Sequence, residues 1–167
     1  MTVFEGSPDG TDRRIAIVAA RFNGSVSHKL VDGALAGLAA HGVSESDVDV
    51  VWVPGAFEIP LVAGRVAHSG RYDGIICLGA VIRGETAHFD LVANEAARGI
   101  ADAARESGIP VIFEVLAVDT LALAEDRAGG AHGNKGWEAA ETVLSMASLL
   151  AALSEAETAS GARGVAR

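Results

Sequence analysis

The segment from Gly79 to Asp90 carries the residues with the clearest chemical potential in this chain. It follows the apolar run 74–78 and reads Gly-Ala-Val-Ile-Arg-Gly-Glu-Thr-Ala-His-Phe-Asp. The unbroken apolar run predicts a strand buried on both faces of a parallel sheet, and ligands bind in the loops at the ends of such strands. A glycine loop that enters a helix leaves backbone N–H groups free near Glu85 and Thr86, and these groups suit an anion such as phosphate.

A histidine, His88, lies in the first turn of the helix predicted over 86–107. The positive end of the helix favours the neutral imidazole, which can accept or pass a proton near neutral pH. A helix-capping loop with an exposed histidine has the same local pattern. This segment therefore predicts a site of proton transfer but does not by itself exclude a structural role.

Two further strand ends carry polar and aromatic side chains. The strand predicted over 14–20 runs into Phe22 and Asn23, and the strand predicted over 48–53 runs into Glu58. Carboxyl ends of parallel strands share one edge of the sheet, so an aromatic face, an amide, a carboxylate and an imidazole could converge there on one ligand. Taken alone, Phe22 fits a core residue and Glu58 fits a favourable acid at a helix start.

Two cations late in the chain are candidates for binding phosphate. Arg127 lies in the last turn of the helix predicted over 120–128, and Lys135 lies in the segment Gly-Asn-Lys-Gly at 133–136. A guanidinium binds phosphate with two parallel hydrogen bonds. A solvated cation that complements the helix dipole is the simpler interpretation of Arg127 alone, and Lys135 has the same alternative.

The elements that must position these residues alternate between strand and helix. This pattern predicts an α/β fold: a flavodoxin-like three-layer α/β/α sandwich with a four-stranded parallel sheet. Residues 1–167 form one domain, with an extended N-terminal arm over about 1–12 and a frayed tail over about 155–167. The predicted strands are 14–20, 48–53, 74–80 and 109–116, and the predicted helices are 25–40, 59–69, 86–107, 120–128 and 136–153.

Composition and missing motifs exclude several classes of protein. The 167 residues carry 13 basic against 22 acidic side chains, a net charge of −9, which argues against nucleic acid as a partner. The chain has a single cysteine, Cys77, and it shows neither a signal peptide nor a continuous apolar run of about 20 residues. These features predict a cytoplasmic protein without a membrane partner. No dinucleotide or ATP loop and no nucleophile elbow occurs, and the five scattered histidines argue against a structural metal.

Four blocks in order resemble the 6,7-dimethyl-8-ribityllumazine synthase family. They are Ala20-Arg21-Phe22-Asn23, the segment 53–60, the segment 79–90, and Asp126-Arg127-Ala128-Gly129-Gly130 followed by 133–136. The resemblance implies condensation of 5-amino-6-(D-ribitylamino)uracil with 3,4-dihydroxy-2-butanone 4-phosphate, the penultimate step of riboflavin biosynthesis, without a metal or organic cofactor. A non-catalytic shell that binds flavin or lumazine is the alternative. The presence of both His88 and Arg127 favours the enzyme.

The resemblance also implies roles for individual residues. His88 would move protons and Arg127 would hold the phosphate together with the backbone of Glu85 and Thr86. Phe22 would stack on the pyrimidine. The substrate-binding set is Phe22, Asn23, Ala56, Phe57, Glu58, Ala80, Val81, Ile82, Glu85, Thr86, Phe113 and Lys135.

Assembly is implied by the same resemblance. In the family, the residues that correspond to Phe113 and Arg127 reach the site of a neighbouring subunit, so the chain is expected to form a closed ring, which in the family is a pentamer. The short glycine-rich turn 129–136 resembles that of members that form an icosahedral shell of sixty subunits, which we favour over free pentamers. The N-terminal segment 4–6 resembles one that adds a strand to a neighbour's sheet.

The chain departs from the family pattern at a few positions. Glu114 stands where the family usually has glycine, and Ala87 stands in place of a common proline. Ala117-Val118 replaces a common Thr-Thr pair, and Ala131 replaces a common lysine. Glu114 bears most on function, because a carboxylate beside an anionic substrate would repel it unless the side chain points elsewhere.

Overall fold

Four parallel strands and five helices make up most of the chain. The computed structural model describes the backbone of residues 1–164 and the side chains of residues 1–159. The main strands are β1 (Ile15–Ala20), β2 (Val48–Val53), β3 (Gly74–Ile82) and β4 (Val111–Val118). The helices are α1 (Gly24–Ala40), α2 (Ile59–Ala67), α3 (His88–Ser107), α4 (Leu121–Arg127) and α5 (Lys135–Gly164), and two short strands, β5 (Ala128–Gly130) and β6 (Gly133–Asn134), form an antiparallel pair.

The sheet has the strand order β2-β1-β3-β4, and all its pairings are parallel. The chain first steps outward from β1 to β2 and then crosses to β3 on the other side of β1. This reversal creates a switch point between β1 and β3, where the carboxyl ends of the strands leave a crevice. The order and direction confirm the predicted flavodoxin-like sheet.

Helices cover both faces of the sheet, as the unbroken apolar strands predict. On one face, Leu30 of α1 and Leu144 of α5 are fully buried against alternate residues of β1 and β3. On the other face, Ile59 of α2 and Ile100 of α3 are equally buried against the remaining strand residues. The three-layer sandwich is therefore confirmed.

The strand ends differ slightly from the prediction. β3 continues to Ile82, because β4 continues beside it and pairs Ile82 with Val118. β4 begins at Val111 and not at Ile109. Pro110 has no N–H to donate, and only its carbonyl takes part, accepting from the Ile75 N–H at 2.8 Å. The pair β5 and β6 was not predicted, because two or three glycine-rich residues carry no strand pattern.

Helix α5 is longer than predicted, since residues 155–164 continue it. Its alanine and glutamate content explains the extension, since both are strong helix formers. By length and composition, the part Lys135–Ala159 would also suffice to cross a membrane, whereas no such segment was predicted. This is weak evidence for a span, because Val143 and Leu144 are fully buried against the sheet. Residues 165–167 lie outside the described chain.

The N-terminal arm has no helix or strand and lies on α5 and the end of α1. A Cβ on Gly6 would come within 1.9 Å of the Ser145 carbonyl oxygen, so only glycine fits there. The Ser7 N–H reaches the Ser148 hydroxyl at 3.4 Å. The Gly10 N–H donates to the His41 carbonyl at 2.8 Å. Pairing of residues 4–6 with a neighbouring subunit stays a prediction, as does the division into arm, domain and tail.

Candidate active site

A pocket of about 660 Å³ opens at the carboxyl edge of the sheet, beside the switch point between β1 and β3. It collects residues from the ends of β1, β2 and β3 and from the first turns of α3. The walls are mostly apolar, with a few polar groups, as is usual for sites that bind small molecules. The lining residues are Phe22, Pro54, Gly55, Ala56, Phe57, Glu58, Ala80, Val81, Ile82, Gly84, Thr86, His88, Phe89, Leu91 and Val92.

The loop after β1 presents an aromatic ring to this pocket. The side chain of Phe22 is 72% exposed, so its interpretation as a core residue is wrong. Its backbone N–H donates to the Pro54 carbonyl at 3.0 Å, which fixes the loop against the end of β2. An exposed ring held by its backbone at a pocket wall is suited to stack on a flat ligand.

Asn23 has a different position from the one that the sequence predicts. It adopts the left-handed conformation, with φ 57° and ψ 43°, at the start of α1. Its side-chain amide donates to the Ala80 carbonyl at 2.8 Å. Asn23 is not among the lining residues; its amide instead ties the start of α1 to the end of β3, next to Phe22.

The loop after β2 forms a short 3₁₀ turn, Ala56–Glu58, that supplies one wall of the pocket. Ala56 is buried, whereas Phe57 and Glu58 are exposed at the pocket. Glu58 precedes α2 but its side chain makes no capping hydrogen bond there. The interpretation of Glu58 as a simple helix cap therefore lacks its defining bond, and the carboxylate is available to a ligand.

The loop between β3 and α3 supplies both the histidine and the donors for an anion. His88 is the first residue of α3 and is exposed at the pocket. Within the described residues 1–164, the backbone N–H groups of Gly84, Glu85 and Thr86 make no hydrogen bond to the protein. These free donors at the positive end of a twenty-residue helix can bind an anion close to His88.

Several predicted site residues lie outside this pocket. Phe113 is 41% exposed on β4, and Glu85 is not among the lining residues. The Arg127 guanidinium donates to the Leu123 carbonyl of its own helix at 3.0 Å. Lys135 forms an ion pair with Glu138. The pocket of one subunit thus brings together Phe22, Ala56, Phe57, Glu58, Ala80, Val81, Ile82, Thr86 and His88, but not Asn23, Glu85, Phe113, Arg127 or Lys135.

Glu114 points away from the pocket. It shares a face of β4 with Ile112 and Leu116, which pack in the layer of α1 and α5. Burial raises the pKa of Glu114 from 4.5 to about 7; Lys135 acts against this rise and Glu138 adds to it. Its charge is therefore directed to the start of α5, and the expected repulsion of a substrate does not arise within the same subunit.

Part of the apolar wall was not predicted from the sequence. Leu91 and Val92 line the pocket, and Leu91 is 63% exposed. They follow His88 by three and four residues, so they lie on the same face of α3. Helical spacing from His88 would have identified them. Phe89, which is 9% exposed, also lines the pocket from the first turn of α3.

A comparison with known protein families agrees with this geometry. The family model described as 6,7-dimethyl-8-ribityllumazine synthase matches residues 12–151, which include every strand of the sheet and all the pocket residues. The match ends within α5 and begins after most of the N-terminal arm. The chain belongs to the 6,7-dimethyl-8-ribityllumazine synthase family, whose members carry out a condensation in riboflavin biosynthesis.

Proposed function

We propose that this protein condenses 5-amino-6-(D-ribitylamino)uracil with 3,4-dihydroxy-2-butanone 4-phosphate to give 6,7-dimethyl-8-ribityllumazine, the penultimate step of riboflavin biosynthesis. The observation that carries the proposal is the convergence of three groups on one pocket. They are an exposed aromatic ring at Phe22, an imidazole at His88 and the free backbone N–H donors of the loop between β3 and His88. These match the flat ring, the protons and the phosphate of the two substrates.

Each substrate has a complementary part of the pocket. Phe22 stacks on the pyrimidine, and the backbone at Val81 and Ile82 binds its polar edge. Ala56 and Glu58 hold the hydroxyl-rich ribityl chain at the end of β2. The phosphate binds at the start of α3, where its charge is favoured by the helix dipole.

The reaction needs alignment and proton transfer more than it needs a reactive group. The amine of the uracil attacks the ketone and water leaves to form an imine; phosphate is then eliminated, and ring closure releases a further water. Holding both reactants in line can lower the barrier by up to roughly 7 to 11 kcal/mol. Proton transfer through His88 adds on the order of 10²- to 10⁴-fold.

The cation for the phosphate comes from a second subunit in this proposal. Arg127 and Phe113 lie outside the pocket of their own subunit, which supports a site shared between neighbours. A ring of subunits satisfies this requirement for every site at once. We propose a pentameric ring, and we favour sixty subunits in an icosahedral shell, because the glycine-rich turn 129–136 is short, with the small β5 and β6 pair between α4 and α5.

Mixing purified protein with both substrates and following lumazine fluorescence tests the activity. We expect His88→Ala to lower kcat by about 10²-fold or more with little change in KM. We expect Arg127→Ala to raise KM for the phosphorylated substrate and to approach the uncatalysed rate. His68→Ala is the matched control, because His68 is exposed at the end of α2 and does not line the pocket.

Two results would contradict the proposal. Wild-type kinetics in both variants would show that the assigned site is wrong. Binding of lumazine or flavin without turnover in the wild type would favour a non-catalytic shell.

Light scattering on fresh protein tests the assembly. A pentamer-sized particle at all concentrations would exclude the shell, and a monomer would exclude the shared site.

A further inference from the structure

Arg83 joins three elements at the edge of the pocket. It follows the last residue of β3, and its backbone N–H donates to the Val118 carbonyl at the end of β4, at 2.9 Å. Its Nε lies 2.8 Å from a carboxylate oxygen of Asp119, and its Nη1 lies 3.5 Å from one of Asp90 in α3. The guanidinium also stacks over the Phe89 ring, 4.1 Å from its centre.

These contacts leave Arg83 unsuited to binding substrate itself. Its planar fork is engaged by two carboxylates and one aromatic face, and it is not among the residues that line the pocket. The hydrogen bond that Arg83 donates to Asp119 and the charge of Asp90 also raise the pKa of Arg83 above its ordinary value. Arg83 thus remains a fixed cation that belongs to the scaffold of the loop.

The loop that follows Arg83 has little else to hold it. Gly84, Glu85 and Thr86 donate no backbone hydrogen bond within the described part of the chain. A Cβ added to Gly84 would meet no atom within 4 Å, so packing does not restrain it. The position of the loop therefore depends on its two ends, the end of β3 and the first turn of α3.

We propose that Arg83 is a positioning residue that fixes the first turn of α3 against the ends of β3 and β4, and so holds the anion-binding donors and His88 in their working arrangement. This inference rests on the proposed function. Phe89 transmits the effect, since its ring contacts Arg83 on one side and the pocket on the other, directly after His88.

Three variants separate this role from general stability. Arg83→Met keeps an apolar stem over Phe89 but removes the fork and the charge, whereas Arg83→Lys keeps the stem and the charge but removes the fork. Arg98→Met is the matched control, because Arg98 is an exposed residue of α3 whose guanidinium pairs with Glu95 and does not line the pocket. Steady-state kinetics for each substrate and inhibition by inorganic phosphate are measured on the assembled protein.

We expect Arg83→Met to lower kcat and to weaken phosphate inhibition by about ten- to a hundredfold, since a displaced loop misplaces both groups. The KM for the pyrimidine substrate stays within about twofold, because Phe22 and the β2 loop are untouched. For kcat and phosphate inhibition, Arg83→Lys lies between the wild type and Arg83→Met. Arg98→Met behaves as the wild type. Equal losses for both substrates, or wild-type kinetics in Arg83→Met, would overturn the inference.

Asp119→Asn distinguishes positioning from simple neutralisation of charge. Asp119 is an exposed carboxylate outside the pocket lining. If Arg83 positions the loop, replacing the charged acceptor of its Nε–H by a neutral amide oxygen weakens this contact and so weakens phosphate inhibition. If Arg83 only offsets negative charge near the phosphate, removing that charge strengthens phosphate inhibition, and the inference is wrong.

Hydrogen–deuterium exchange supplies a readout that does not depend on turnover. We expect the amides of residues 83, 90 and 91, which donate to the Val118 and Ala87 carbonyls, to exchange faster in Arg83→Met than in the wild type, while the amides of β3 do not change. In Arg98→Met, none of these amides should change. Unchanged exchange at residues 83, 90 and 91 overturns the role of Arg83 even if the wild-type protein makes no lumazine. Absence of lumazine formation in the wild type would instead count against the proposed function.

Discussion

Replacing Glu114 with glutamine tests how the chain accommodates a carboxylate where its family usually has glycine. Burial raises the pKa of Glu114 from 4.5 to about 7, Lys135 opposes this rise and Glu138 adds to it. In the unfolded chain the carboxyl ionises near its ordinary value. The neutral carboxyl therefore contributes fully to the free energy of unfolding below about pH 4.5, and this contribution is lost as the pH rises to about 7.

The size of this loss follows from the change in pKa. For a fully buried group, ionisation at a pKa raised to about 7 would cost about 3 kcal/mol. Glu114 is only partly buried, and solvent screens its charge, so we expect about 1 kcal/mol. For a chain of this length, about 1 kcal/mol corresponds to a change of roughly 2 to 4 °C in Tm.

Thermal unfolding followed by circular dichroism at pH 5 and pH 8 measures the effect. Protein concentration is kept equal, because assembly makes Tm depend on it. We expect the wild type to lose more stability than Glu114→Gln between the two pH values. Lys135→Met should enlarge the pH dependence of the wild type, and the exposed Glu45→Gln should leave it unchanged. An equal pH dependence in wild type and Glu114→Gln would refute the reasoning.

Two further predictions concern the loop that follows β1. Phe22→Ala should raise KM for the pyrimidine substrate while Phe22→Trp is tolerated, because the exposed ring stacks on the heterocycle; unchanged pyrimidine affinity in a binding titration of the alanine variant would contradict this role. Asn23→Gly should lower the free energy of unfolding by about 1 kcal/mol, because the side-chain hydrogen bond to the Ala80 carbonyl is lost. Asn23→Ala should lower it by about 1 kcal/mol more, because alanine resists the left-handed backbone conformation. Equal Tm values for the two Asn23 variants would show that the backbone conformation carries no cost.

The layers of the fold could be predicted because its two central strands, β1 and β3, are apolar runs buried on both faces. The edge strand β2 is interrupted by Asp49 and mostly half-buried, but its five other residues are apolar, and it was predicted with its observed bounds, Val48–Val53. Strand ends depend on neighbours and not on local pattern: β3 reaches Ile82 only because it pairs with Val118. The helical tail of α5 was missed since it has no core stripe, and helix propensity alone extends it to Gly164.

The site could be predicted only as far as strand ends reveal it. Phe22, Glu58 and His88 were placed together from the sheet edge that they share, and the pocket contains all three. The amide of Asn23 bonds to Ala80, 57 residues away in sequence, and no local pattern indicates such a contact. The same holds for Arg83, whose partner Asp119 belongs to the end of another strand.

The charges around the pocket lead to a last prediction about the shared site. Among the residues that line it, Glu58 is the one acid and none is lysine or arginine, although a phosphate must bind there. Arg83 is engaged by two carboxylates, so the proposed cation is Arg127 of a neighbouring subunit.

Subunits that carry His88→Ala and subunits that carry Arg127→Ala should therefore complement each other. In a ring formed from an equal mixture, about a quarter of the sites join an intact His88 to an intact neighbouring Arg127, so about a quarter of wild-type activity should return. Each variant assembled alone is the control. If both residues serve the same subunit, no mixture contains an intact site, and activity that stays at the level of the separate variants would refute the shared site.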